Sequence, residues 1–146
     1  MTNDIIKLRD ITGAGVMDCK QALEDAAGDL EKAKALIFER GLIKAEKRAA
    51  SKTGAGILES YIHNNRVGVL LELRCETDFV ARSEPFRQLA KELVMQISAT
   101  DPASIDELRQ QPYIREESKT AGDLIKETIA KTGENVRVER FCRYEL

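Results

Sequence analysis

The sequence predicts an α+β fold, and a double change in hydrophobic period predicts it. Apolar residues recur at helical spacing over residues 1–44, alternate between residues 56 and 75, and return to helical spacing from Pro85 to Ile97. A further alternating run spans Asn135 to Glu145. The expected layout is a three-helix unit at 1–44, a linker at 45–55 and a core at 56–146, whose small antiparallel three-stranded sheet packs against helices. At 146 residues the chain can bury a core of ordinary size, whereas the three-helix unit alone is marginal by length.

Each element has a local cause. Thr2 or Asn3 caps a first helix with Ile5, Leu8 and Ile11 near one face, and Gly13-Ala14-Gly15 breaks it. A second helix runs from Val16 to Ala27, with Ala22, Leu23, Ala26 and Ala27 inward and Gly28 just past its end. The third starts near Asp29, carries Leu30, Ala33, Leu36 and Ile37 on one stripe, and stops at Gly41. The stretch from Ala45 to Thr53, rich in Ala, Lys, Arg and Ser, suits a helical or flexible connector. Leu58, Ser60 and Ile62 make a first strand, and His63-Asn64-Asn65-Arg66 a turn tolerant of left-handed backbone. Val67, Val69, Leu71, Leu73 and Cys75 make the second and clearest strand, whose other face holds Glu72, Arg74 and Glu76. Thr77 is a good N-cap and Asp78 a good first-turn anion, so this strand turns directly into a short helical segment.

Ser83-Glu84-Pro85 opens the next helix, whose Phe86, Leu89, Ala90, Leu93 and Ile97 lie across the sheet. Residues 100–119, polar and broken by Pro102 and Pro112, read as a short element and loops. Thr120 with Asp123 resembles a capping box, opening a helix that ends at Gly133. In the last strand Val136, Val138, Cys142 and Tyr144 share one face. Phe141 stands among Arg137, Glu139, Arg143 and Glu145 on the other.

Composition excludes several functions. A net charge of −2, from 23 basic and 25 acidic residues, supplies no field for phosphate backbones, so direct nucleic-acid binding is not expected. The one basic cluster, Lys44 to Arg48 with Lys52, is diluted by Glu46 and reads as a solvated helix end or linker. Three distant cysteines, no Cys-x-x-Cys and a single His argue against a zinc site or disulfide framework and fit a reducing compartment. No apolar run approaches the roughly 18–20 residues of a membrane span, and the N-terminus lacks a signal-peptide pattern. The expectation is a cytoplasmic protein with no membrane partner, cofactor or metal.

No catalytic constellation emerges either. Gly13-x-Gly15 lacks a preceding strand and has Asp18 where the third glycine of a dinucleotide loop belongs, so it reads as a helix–helix turn. A Cys75–His63 nucleophile pair requires the thiol to leave the apolar face of its strand. Two features stay open on spacing alone. Phe79, at the strand-to-helix corner, either tucks into the local core or projects as a wedge for a partner. Val16-Met17, apolar in a first helical turn, either pack locally or form a contact tip. A non-enzymatic dimeric module that captures a hydrophobic ligand or peptide is one hypothesis at this point, and a cysteine-dependent hydrolase is another.

Three segments together resemble the elongation factor Ts family: Leu8-Arg9-Asp10-Ile11-Thr12-Gly13-Ala14-Gly15-Val16-Met17 through Leu23, then Cys75-Glu76-Thr77-Asp78-Phe79-Val80-Ala81, and Gly133-Glu134-Asn135-Val136 with Arg140-Phe141-Cys142-Arg143. The likeness covers nearly the whole chain in order. It implies a ubiquitin-associated-like N-terminal domain and an α+β core, both docking on the GTPase elongation factor Tu, whose guanine nucleotide such factors exchange. It implies that Asp78 and Phe79, flanked by Thr77 and Val80, enter the GTPase beside its magnesium site. It further implies that Val16 and Met17, with Arg9, form a second contact. Short family members with this ending associate through the C-terminal sheet, which implies a homodimer through Val138, Phe141, Cys142 and Tyr144 and a 2:2 complex. Where longer relatives carry a second core half or larger insertions, this chain has a single core unit and the short segment 100–119.

Overall fold

In the computed structural model, which describes residues 1–146, the first helix begins at Thr2 with Met1 at its N-cap and no side-chain cap bond, so neither Thr2 nor Asn3 caps it as expected. Helix α1 (Thr2–Thr12) ends at Gly13, whose φ of 69° lets its N–H reach the carbonyl of Arg9. Helix α2 (Val16–Asp25) follows, and the Asp29 carboxylate accepts the N–H groups of Glu31 and Lys32 to open α3 (Leu30–Arg48). Leu8, Cys19, Ala22, Leu23, Ala26 and Ala33 close a small core among the three helices.

Helix α3 corrects the expected stop at Gly41, because it continues through Arg48. Gly41 is buried against the helix α7 (Ala121–Thr132), where an added Cβ would stand 2.9 Å from the Cβ of Ala130. The glycine is a close-approach residue between two helices, not a breaker. One turn later Ala45 enters the main core, so the second half of α3 belongs to the same packing as the sheet.

Strands β1 (Ala55–His63) and β2 (Val67–Cys75) form an antiparallel hairpin, with Asn64 and Asn65 at φ of 51° and 58° supplying the left-handed turn. The strand β5 (Arg137–Glu145) pairs with the other edge of β2, giving the order β1-β2-β5. Val69, Leu71, Leu73 and Cys75 face inward, and helix α5 (Glu84–Thr100) covers them with Phe86, Leu89, Ala90, Leu93 and Ile97. The alternation of β1 is the reverse of the expected apolar set. Ile57 and Tyr61 pack against the core, while Leu58 and Ile62 are exposed. Both faces of this strand carry large apolar residues, so its period alone did not say which turns inward.

The face assignment of β5 also needs correction. Glu72 pairs with Arg140 but Leu73 pairs with Val138, so Glu139 is an extra residue in a bulge. Beyond it the parity flips: Val136 and Val138 are buried, then Phe141, opposite Leu71, turns inward and packs on the core. Cys142, opposite Leu70, and Tyr144, opposite Gly68, turn outward.

Residues 100–119 hold more structure than expected. Helix α6 (Ile105–Gln110) is followed by the two-stranded ribbon β3 (Pro112–Tyr113) and β4 (Glu116–Thr120). The buried Gln96 of α5 secures this ribbon, donating to the Pro112 carbonyl at 3.1 Å and accepting the Ile114 N–H at 3.0 Å. Thr120 and Asp123 exchange both bonds of a capping box at the start of α7, and Gly133 ends that helix in the left-handed conformation. No helix is long and apolar enough to cross a membrane.

Candidate functional site

The corner after β2 is built from a cap and two anchors. Thr77 stands at the N-cap of the single-turn helix α4 (Asp78–Ala81), its hydroxyl accepting the Val80 N–H at 3.3 Å. Val80 and Ala81 are buried in the main core. The turn is thereby fixed with its next side chain outward, and Phe79 is 80% exposed. Of the two readings left open by spacing, the structure selects projection. Val80, expected among the partner-contacting residues, is only 5% exposed and acts instead as the anchor beneath the ring.

Behind the corner lies a polar network that spacing did not reveal. The Glu134 carboxylate accepts the backbone N–H groups of Glu76 at 3.1 Å and Thr77 at 2.9 Å, and its second oxygen accepts the Thr77 hydroxyl at 2.7 Å. The Glu76 carboxylate accepts the Asn135 N–H at 2.5 Å and pairs with the Arg48 guanidinium at the end of α3. That guanidinium holds the Glu76 carboxyl below its ordinary range. Asn135, itself buried, donates its side-chain amide to the carbonyls of Ala49 at 3.3 Å and Ser51 at 2.9 Å. Three segments distant in sequence, 48–51, 76–77 and 134–135, thus meet behind the corner that carries Phe79. Gly133-Glu134-Asn135-Val136 was legible as a motif, but its acceptor role depends on a fold that places it beside residue 77.

No nucleophile accompanies the ring. Burial, and next the charge of Glu134, push the Cys75 thiol up to about 11, and its Sγ donates to the Thr77 carbonyl at 3.2 Å. In the β1–β2 ladder Cys75 pairs with Ala55 while His63 pairs with Val67. Eight residues of extended strand, about 26 Å, separate the two side chains, so the hydrolase hypothesis has no geometry to stand on.

The second expected contact lies at the other end of the molecule's sequence. Val16 and Met17 open α2 just after Gly15, and Met17 is 71% exposed, with Arg9 exposed on α1. Of the expected dimer residues, Val138 is 6% exposed and Phe141, partly buried, packs on the chain's own core. Cys142 and Tyr144 remain exposed on the outer sheet face, beside Leu58, Ile62 and Leu70.

Comparison with known proteins decides what this arrangement belongs to. The sequence profile of the family described as Elongation factor TS matches residues 76–146. The chain is 41% identical to an elongation factor Ts of Thermotoga petrophila, over 97% of this chain and 94% of that one. The chain belongs to the elongation factor Ts family. An elongation factor Ts of Aquifex aeolicus is 47% identical over 97% of this chain but only 51% of its own length. One from Thermodesulfovibrio yellowstonii is 39% identical over 100% of this chain and 96% of its own. Membership places the chain among translation elongation factors. The alignment with the Thermotoga elongation factor Ts runs over 186 positions, more than the 146 residues here, so that relative carries residues without a counterpart. The elongation factor Ts profile begins at Glu76, and its matched region therefore takes in the exposed ring, Glu134, Asn135 and β5.

Proposed function

We propose that this chain is a guanine-nucleotide exchange factor for elongation factor Tu, acting in the cytoplasm without chemistry of its own, and that Phe79 is its wedge. The observation that carries the reading is a ring 80% exposed on a turn whose neighbours are capped and buried. GTPases hold their nucleotide through a phosphate cradle and Mg²⁺, an ion that demands near-octahedral oxygen geometry. A rigid apolar ring that enters beside that ion shifts its ligands and removes charge compensation from the phosphates. Asp78, exposed beside the ring, adds an anion where the phosphates already repel one. By linkage, bound nucleotide weakens the factor's hold by the same ratio, so exchange is accelerated in both directions and the final balance of nucleotides is unchanged.

Arg9, Val16 and Met17 provide a second contact on the GTPase, keeping the factor in place while the ring works. A second copy of the chain packs on the outer sheet face, where Leu58, Ile62, Leu70 and Tyr144 are exposed together, giving a homodimer and a 2:2 complex.

The test is the release of fluorescent GDP from elongation factor Tu. Burying the ring is worth about 1.5–3 kcal/mol, so Phe79→Ala slows stimulated release by about 10- to 150-fold. Because the ring touches solvent in the free chain, the variant melts within about 0.5 kcal/mol of the parent. A folded variant that stimulates release as fast as the parent refutes the wedge.

A further inference from the structure

From the network behind the corner we infer that Glu134 is a positioning residue for Phe79: its carboxylate sets the direction in which residues 77–79 are presented. The inference rests on the wedge reading and extends it to a residue some fifty positions away in sequence that touches no partner itself.

Three observations carry it. First, one carboxylate takes three hydrogen bonds from two consecutive residues, the N–H of Glu76 and both the N–H and hydroxyl of Thr77. An acceptor shared in that way fixes the peptide plane between residues 76 and 77, and with it the exit direction of the chain into α4. Second, the Thr77 hydroxyl that donates to Glu134 is the same group that accepts the Val80 N–H, so the cap of the turn is oriented through Glu134. Third, Glu134 is half-buried in the loop between α7 and β5, next to Asn135, which is tied to Glu76, Ala49 and Ser51. The carboxylate therefore hangs from a fixed point rather than from a free loop. Neighbouring groups do not substitute for it: the Glu76 carboxylate is engaged by Arg48 and Asn135, and Asp78 is exposed.

The chemistry of the site distinguishes acceptor geometry from charge. Gln at position 134 keeps an oxygen for the two N–H groups. Asp keeps the charge but is one methylene short, and Ala removes both. We expect E134A and E134D to lower the maximal rate of stimulated GDP release about tenfold, inside the 5–150-fold range typical of couplings between sites. E134Q stays within twofold of the parent. Half-saturating concentration changes less than twofold in all three, since the Val16–Met17 contact is untouched. Amide hydrogen exchange at Thr77 and Val80 quickens in E134A and E134D while the amides of β2 keep their protection, which separates a loosened corner from a loosened fold.

The deciding measurement combines Phe79→Ala with each Glu134 variant. If Glu134 acts through the ring, E134A has no further effect once the ring is gone. An equal loss from E134A in the parent and F79A backgrounds overturns the positioning role. So does full stimulation by E134A, or by E134D should E134A not fold, when F79A alone is slow; the wedge itself then stands. An F79A chain as fast as the parent removes the wedge reading and this inference with it.

Discussion

The contact between α3 and α7 makes a prediction in which two effects of similar size oppose each other. Gly41→Ala should stabilise a helix interior by about 1 kcal/mol, because glycine is the poorer helix former. Here the new methyl would lie 2.9 Å from the Cβ of Ala130, well inside ordinary contact. Neither atom is the end of a flexible side chain, so the two helices must separate, and overpacking of that kind costs about 1–3 kcal/mol. The steric term wins, and Gly41→Ala is expected to destabilise the chain by up to about 2 kcal/mol. The sign reverses in an Ala130→Gly background, where the methyl has space and only the propensity gain of about 1 kcal/mol remains. Urea titration of the four chains measures this directly, provided the slope of stability against urea stays constant. If Gly41→Ala raises stability equally with Ala or Gly at position 130, the helices do not meet there, and α3 is not tied to the core in the way described.

Two further predictions concern the ribbon and the outer sheet face. Burial, and next the Glu92 carboxylate that accepts its hydroxyl, push Tyr113 up to about 12. A raised value favours the protonated form in the fold, so this contribution is complete below the unfolded value of about 10 and is lost as pH rises toward about 12. Tyr113→Phe should therefore flatten the fall of the urea midpoint above pH ~10, and equal steepness in the two chains would remove Tyr113 from the alkaline limb. Leu70 points outward opposite Cys142, so Leu70→Glu should convert a sedimenting dimer to monomer while thermal stability stays within about 0.5 kcal/mol. A parent chain that sediments as a monomer would overturn the two-fold assembly.

What could be read from the sequence was what local rules decide. The alternation of β2, the two-asparagine turn, the Thr77 cap and the Thr120–Asp123 box all depend on residues within a few positions of one another, and each is in place. What could not be read depends on distant partners. Gly41 looks like a helix stop until Ala130 is set against it. The ribbon at residues 112–120 is held by Gln96 and Glu92 of another helix, which no local pattern announces. A single bulge at Glu139 exchanges the faces of every later residue in β5, which is why Phe141 and Cys142 changed places. At the site, the exposed ring was one of two readings and its support was none. An exposed side chain is local, whereas Glu134 matters only because α7 ends beside residue 77.

The support outweighs the ring in energetic terms. Ordering the backbone of one residue costs about 1–2 kcal/mol, so presenting residues 77–80 from a flexible loop would subtract roughly 4–8 kcal/mol from the insertion of the ring. The ring returns only about 1.5–3 kcal/mol on burial. A wedge on a floppy corner would therefore lose more by ordering than it gains by insertion, and would not distinguish two states of a partner. The fold settles that cost in advance: Thr77 caps the turn, Val80 and Ala81 are sunk in the core, and Glu134 holds the peptide that leads into it. Most of the ring's apolar area is left unburied in the free chain, available only where a pocket opens to receive it. The same reasoning explains why α3 must extend past Gly41. Arg48 at its end engages Glu76, and Asn135 binds the carbonyls just beyond, so the N-terminal helices and the corner are held by one network. On the proposed reading, in which Met17 holds the partner and Phe79 acts on it, that connection has to be stiff, because a compliant link would let the two contacts form independently and leave the partner's grip undisturbed.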